Sequence, residues 1–164
     1  MSGWHDRKIM RLRGYDYNTP GTYFLTLCVL NRSCLLSRIT ENNIPDGPKL
    51  ELSPYGEIAA RYINQLHDFY DNISVEGYVI MPNHIHILLS VFAPTSTAST
   101  IQNTVVSSFV STLKRFCNKE YGQNIWQPRF HDHIIRNQED FDQHLKYIYE
   151  NPYIWHKDEF FFEV

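Results

Sequence analysis

The chain has 164 residues and a net charge of −3 at neutral pH, a length that suits one compact domain spanning 1–164. Its composition, 43% hydrophobic and 15% aromatic, excludes a disordered chain, and no apolar run approaches the roughly 18 residues of a membrane span. The charge argues against a broad nucleic-acid surface, although the stretch RKIMRLR gathers Arg7, Lys8, Arg11 and Arg13 into a local basic patch able to hold a short phosphate backbone.

The opening MSGWHDRKIM lacks the apolar core of an export signal, so the cytoplasm is the expected compartment. Cys28, Cys34 and Cys117 are odd in number and form no CxxC pair, which excludes a disulfide framework and a cysteine-built zinc site. TYFLTLCVL, from Thr22 to Leu30, is rich in β-formers and reads as a first strand. RIT and KLEL flank the turn-rich ENNIPDGP as the arms of a hairpin. Ser53 offers an N-cap and Pro54 a first helical position, and apolar residues from Tyr55 to Tyr70 follow at helical spacing. ISVEGYVIM is a second strand, Pro82 and Asn83 make a tight break, and HIHILLSV is a third strand. After the loop APTSTAST a helix runs from about Ile101 to Tyr121; Lys114 and Arg115 read as its solvated face. RFHDHIIR is a fourth strand, and QEDFDQHLKYIYENP a last helix with Glu139 and Asp140 in its favourable first turn.

Without the hairpin and the last helix, this order is β-α-β-β-α-β. The expected fold is therefore α+β and ferredoxin-like, an antiparallel sheet with two helices on one face, plus a hairpin insertion and an extra C-terminal helix free to lie on the other face.

Strand side chains alternate, so Ile85, Ile87, Leu89 and Val91 belong under the helices, while His84, His86 and Leu88 share the second, open face. Two imidazoles at i and i+2 suit one metal ion or one phosphate oxygen, or else are hydrogen-bonded surface histidines. On the last helix Phe141, Leu145 and Ile148 form an apolar stripe, with His144, Tyr147 and Asn151 beside it and Tyr149 on the far flank. A tyrosine presented beside a histidine pair fits a nucleophile next to a metal-polarised phosphate.

MPNHIHIL resembles the HUH motif (histidine, bulky hydrophobic, histidine) of single-tyrosine, single-strand DNA transposases. RLRGYDYNTPGTYFLTLCVLNR, LSPYGEIA, GYVIMPNHIHILL, IWQPRFHDHIIRN and YIYENPYIW make most of the chain similar to the REP-associated tyrosine transposase branch. The resemblance implies that His84 and His86 bind Mg²⁺ or Mn²⁺, that Asn151 supplies a third ligand, and that Tyr147 is the nucleophile. It implies cleavage and rejoining of single-stranded or hairpin DNA, at REP-like sequences on chromosomal DNA, through a 5′-phosphotyrosine; the short RNQ link into the last helix fits a monomer, with helix exchange in a homodimer the alternative. A phenol has a pKa near 10 and needs help to lose its proton; His144, one turn earlier, is the base considered. Arg11 and Arg13, then Arg136, are the expected phosphate contacts. The second HxH, His131 and His133, reads as structural or DNA-proximal, because no partner ligand is apparent.

Three other readings compete. A histidine-triad hydrolase needs a third histidine where this chain has Leu88. An RRM-like RNA binder needs exposed aromatics on the open face, and the histidine strand offers none. A domesticated DNA-binding module without nicking activity keeps the fold and never links to DNA.

Overall fold

The computed structural model describes residues 15–17, 19–40, 47–93 and 104–161. Its strands are β1 (Gly21–Cys28), β2 (Ser37–Thr40), β3 (Lys49–Leu52), β4 (Ile73–Ile80), β5 (His84–Val91) and β6 (His131–Ile134); its helices are α1 (Pro54–Gln65), α2 (Val105–Tyr121) and α3 (Gln138–Glu150). β1, β4, β5 and β6 form one sheet in the order β4-β5-β1-β6, with every neighbouring pair antiparallel. The expected β-α-β-β-α-β unit thus has its third strand between its first and second, the split arrangement. β2 and β3 pair as the separate hairpin.

The helix starts are set locally. Ser53 caps α1 by accepting from the Gly56 N–H, with Pro54 in the first turn; Thr104 caps α2 through Ser107, and Asn137 caps α3 through Asp140. α2 stops at Gly122, whose φ of 72° is the left-handed C-cap conformation. α1 ends at Gln65 and passes into a 3-10 turn over Leu66–Phe69, shorter than the apolar spacing to Tyr70 suggests. The segment 101–103 expected at the start of α2 lies outside the described residues, as do Arg11 and Arg13.

One face of the sheet meets α1 and α2. Ile85, Ile87, Leu89 and Val91 pack there against Ala59, Ile63, Val106, Phe109 and Leu113. The second face is not open. α3 lies across it, and Ile148, Phe141 and Leu145 pack on Phe24 and Leu88. A Cβ at Gly77 of β4 would stand 3.0 Å from Leu145 Cδ1, so the missing side chain lets α3 approach this closely. No helix among the described residues is long and apolar enough to cross a membrane.

Candidate active site

Strand register brings the functional side chains together. On β1 and β5, Thr26 pairs with His86, Cys28 with His84 and Phe24 with Leu88, so Phe24, Thr26, His84 and His86 share the face under α3. His84 and His86, expected on an open face, are 0% and 2% exposed. Two covers account for this. α3 places Tyr147 over His86, with ring centroids 5.3 Å apart, and the segment after α3 folds back so that the Phe160 ring lies 4.7 Å from His84.

The tautomer of His84 follows from its neighbours. Asn83 Nδ2 donates to the carbonyl oxygens of Arg32 (3.2 Å) and Phe160 (2.7 Å), which fixes the orientation of the amide. Asn83 Oδ1 therefore faces His84 Nδ1 at 2.8 Å and can only accept. Nδ1 carries the proton, and Nε2 is left with its lone pair directed at His86 Nε2, 3.0 Å away. On its other side His86 Nδ1 lies 2.8 Å from Thr26 Oγ1. A hydroxyl donates or accepts, so Thr26 serves either tautomer of His86. With Nδ1 protonated, both Nε2 lone pairs converge.

That convergence fits a cation. Two nitrogens at right angles on one ion, each about 2.1 Å from it, stand about 3.0 Å apart. Burial pushes His84 down to about 3, and His86 lies well below its usual value through burial and the neighbouring His84, so both rings are neutral and able to ligate. The Asp158 side chain is also fully buried and brings Oδ2 to 3.8 Å from His84 Nε2. Its other oxygen accepts from the Phe160 N–H at 2.8 Å, which pins the carboxylate. His84, His86 and Asp158 thus form a group with metal-ligand geometry. Asn151, at the C-terminal end of α3, is fully buried, and its Oδ1 and Nδ2 have no hydrogen-bond partner among the described residues. A buried carboxamide left unpartnered is costly unless something binds it.

Tyr147 is half-buried, and its hydroxyl donates to Asp158 Oδ2 at 3.3 Å. Burial, and then the Asp158 carboxylate, push the phenol up to about 12; the nearby Asn151 amide pulls the other way, although it falls short of hydrogen-bond geometry. Tyr147, His144 and His86 line a cleft of about 340 Å³ together with Phe24, Thr26, Gln143 and Glu159. Tyr149, two residues on, is 67% exposed on the far side of α3.

Other expected residues fall differently. Arg136 is exposed at the entry to α3, and its main-chain N–H donates to Asp140 Oδ2 at 3.0 Å. His133 does have partners: its Nε2 lies 3.0 and 3.1 Å from the Asp140 carboxylate oxygens, and its ring stacks on His144 at 4.6 Å. His131 faces Phe160 at 6.3 Å. Lys114 is not a solvated residue. Its ammonium donates to the carbonyls of Gln127 (2.7 Å) and Arg129 (3.2 Å), and burial lowers its pKa to about 8. Arg115 remains exposed, over the Phe116 ring. Sequence reasoning also passed over Thr26, Asn83 and Asp158. Only Asn83 left a signal, standing immediately before the histidine pair.

Comparison with known proteins bears on this constellation. Over 98% of its length the chain is 25% identical to a Haemophilus influenzae protein described only as uncharacterized, and covers 96% of that protein. It is 33% identical to the REP-associated tyrosine transposase of Escherichia coli over 48% of this chain and 43% of that one. A solved structure of a REP-associated tyrosine transposase bound to a REP hairpin superposes with a TM-score of 0.60 at 27% identity, covering 87% of this chain and 73% of the other. Residues 55–151, from the start of α1 to the buried Asn151, match the family described as "Transposase IS200 like". By that match the chain belongs to the IS200-like transposases, enzymes that cleave and transfer DNA strands.

Proposed function

We propose that this transposase cuts and rejoins single-stranded DNA through a covalent 5′-phosphotyrosine on Tyr147, at hairpin or REP-like sequences, with Mg²⁺ or Mn²⁺ held by His84, His86 and Asn151. The observation that carries the reading is the pair of imidazoles, 3.0 Å apart, with the Tyr147 ring packed edge-on beside His86 at 5.3 Å. When bound, the ion supplies charge neutralisation at the scissile phosphate. The carboxylate of Asp158, 3.8 Å from His84 Nε2 and 3.3 Å from the Tyr147 hydroxyl, stands beside the position the scissile phosphate would take.

The protein's own groups do the rest. His144 Nε2 takes the phenolic proton, and Tyr147 Oη attacks phosphorus. The bond from phosphorus to the 3′-oxygen breaks, and that oxygen takes a proton from solvent water. In rejoining, a 3′-hydroxyl attacks the phosphotyrosine and returns the phenol. The bond energy is conserved in the phosphodiester, so no external energy source is required. The short distance between Tyr147 and His86 within one chain supports action in cis by a monomer. Arg136, with Arg11 and Arg13, would hold the phosphate backbone, and the substrate would be chromosomal DNA in the cytoplasm. The hairpin preference draws its support from the solved relative bound to a REP hairpin.

The test is a denaturing gel of labelled hairpin DNA incubated with Mn²⁺ and the wild-type, Tyr147→Phe or Tyr149→Phe protein. An adduct lost only in Tyr147→Phe is expected. Binding without any adduct in the wild type would instead favour the binding-module reading.

A further inference from the structure

We propose that Asp140 is a positioning residue for DNA cleavage: its carboxylate holds the His144 ring with Nδ1 protonated and Nε2 turned to the cleft that Tyr147 lines. The proposal rests on the reading of Tyr147 as nucleophile and His144 as its proton acceptor.

Asp140 is the third residue of α3, and its N–H is capped by Asn137 Oδ1 at 2.8 Å. Its side chain reaches back, and Oδ2 accepts from the Arg136 N–H at 3.0 Å, much as the acidic residue of a capping box does. A helix start requires no more. One turn later, however, His144 Nδ1 lies 2.8 Å from the Asp140 main-chain oxygen and 3.0 Å from Asp140 Oδ1. Both oxygens only accept, so Nδ1 carries a proton, and in the neutral ring the lone pair is on Nε2. The ring is clamped as well as oriented, between Phe24 at 4.7 Å and His133 at 4.6 Å, and His133 donates to the same carboxylate. His144 lines the cleft with its Nδ1 edge committed to Asp140.

His133, Asp140 and His144 have the spacing of a metal group, but a metal does not explain them as well. His144 Nδ1 faces a main-chain oxygen at hydrogen-bond distance, where a lone pair would be repelled, and Asp140 Oδ2 is already engaged by Arg136. The group is a hydrogen-bonded hub with the logic of an acid that orients a histidine that serves a nucleophile.

A double-mutant cycle on the rate of adduct formation, at saturating Mn²⁺ and hairpin DNA, tests this. Asp140→Asn keeps the size and an acceptor but presents an N–H, which disfavours the Nδ1-protonated ring. Asp140→Asn and His144→Ala are each expected to slow the adduct about 10²–10⁴-fold. The double variant should be no slower than His144→Ala alone, and Asp140→Glu should restore part of the rate. Losses that multiply in the double variant, or a wild-type rate in Asp140→Asn, overturn the proposal and leave the Tyr147 reading intact. An adduct that persists in Tyr147→Phe overturns that reading, and the Asp140 proposal with it. ¹⁵N spectra of the wild-type imidazoles give a check that needs no variant: His144 should be protonated at Nδ1, and protonation at Nε2 alone refutes the proposal.

Discussion

Thr26→Val removes one oxygen atom and leaves the shape of the side chain almost unchanged. Thr26 is 5% exposed, and its hydroxyl is 2.8 Å from His86 Nδ1. Valine opens no cavity there, so the effect isolates the hydrogen bond. Outer partners of metal-bound histidines fix ring orientation and tautomer, and their loss typically weakens metal affinity by about 10–100-fold, which is roughly 1.4–2.7 kcal/mol. Folding should also weaken by about 1–3 kcal/mol, because a buried imidazole nitrogen loses its partner, and a protein of this size loses roughly 2–4 °C in Tm per kcal/mol. The assay is a titration with Mn²⁺, following free ion by its paramagnetic resonance, for the wild type, Thr26→Val and Thr26→Ser. Serine, which keeps the hydroxyl, should bind nearly as the wild type does. If Thr26→Val binds Mn²⁺ within about twofold of wild type, the Thr26 hydroxyl does not hold His86 for the ion, whatever it contributes to folding, and the reading of Thr26 as the outer partner of His86 is wrong.

Acid should destabilise the ion-free protein through its buried imidazoles. Burial lowers the folded pKa of His84 to about 3, so the stability contributed by the neutral ring is complete above pH 6.5 and is lost as pH falls toward 3. The loss is roughly 1.4 kcal/mol per pH unit for that ring; the gap between urea midpoints at pH 7 and 5 should narrow in His84→Gln, with the share of His86 remaining, and an unchanged pH slope would contradict the burial argument. At Gly77, valine should overpack against Leu145 and cost about 1–3 kcal/mol in thermal melting, whereas alanine should cost little because only the Leu145 methyl, 3.0 Å away, has to shift. Alanine at Arg136, and at Arg11 with Arg13, should weaken hairpin binding and lower the salt slope by roughly one per lost contact; an unchanged slope removes that residue from the interface.

Much of this architecture is written locally. Ser53-Pro54 announces α1, the β-formers of Thr22–Leu30 announce β1, and alternation alone sorts Ile85, Ile87 and Leu89 from His84 and His86. Helical spacing puts Tyr147 and Tyr149 on opposite flanks of α3. The parts that escaped depend on register and on distant chain. Thr26 meets His86 only because β1 and β5 pair antiparallel in one particular register, sixty residues apart. Asn83 adjoins the pair, but its role depends on carbonyls at Arg32 and Phe160 that fix its amide. Asp158 follows the last helix with nothing in its neighbours to tie it to the histidines, yet its carboxylate is buried against His84 because the chain after α3 turns back over the sheet. Asp140 reads as a helix-start residue, and the two histidines it holds come from β6 and from one turn further along α3. Lys114 looked solvated because its partners, the carbonyls of Gln127 and Arg129, lie beyond the end of its own helix.

The claim that organises all of this is that Tyr147 takes the DNA. The most direct measurement is mass spectrometry of the covalent adduct after nuclease and trypsin digestion. Cleavage after Lys146 and Lys157 releases YIYENPYIWHK, which carries Tyr147, Tyr149 and Tyr153 in one peptide. Fragmentation should place the nucleotide phosphate on Tyr147. A phosphate on Tyr149, on Tyr153 or outside this peptide would contradict the account.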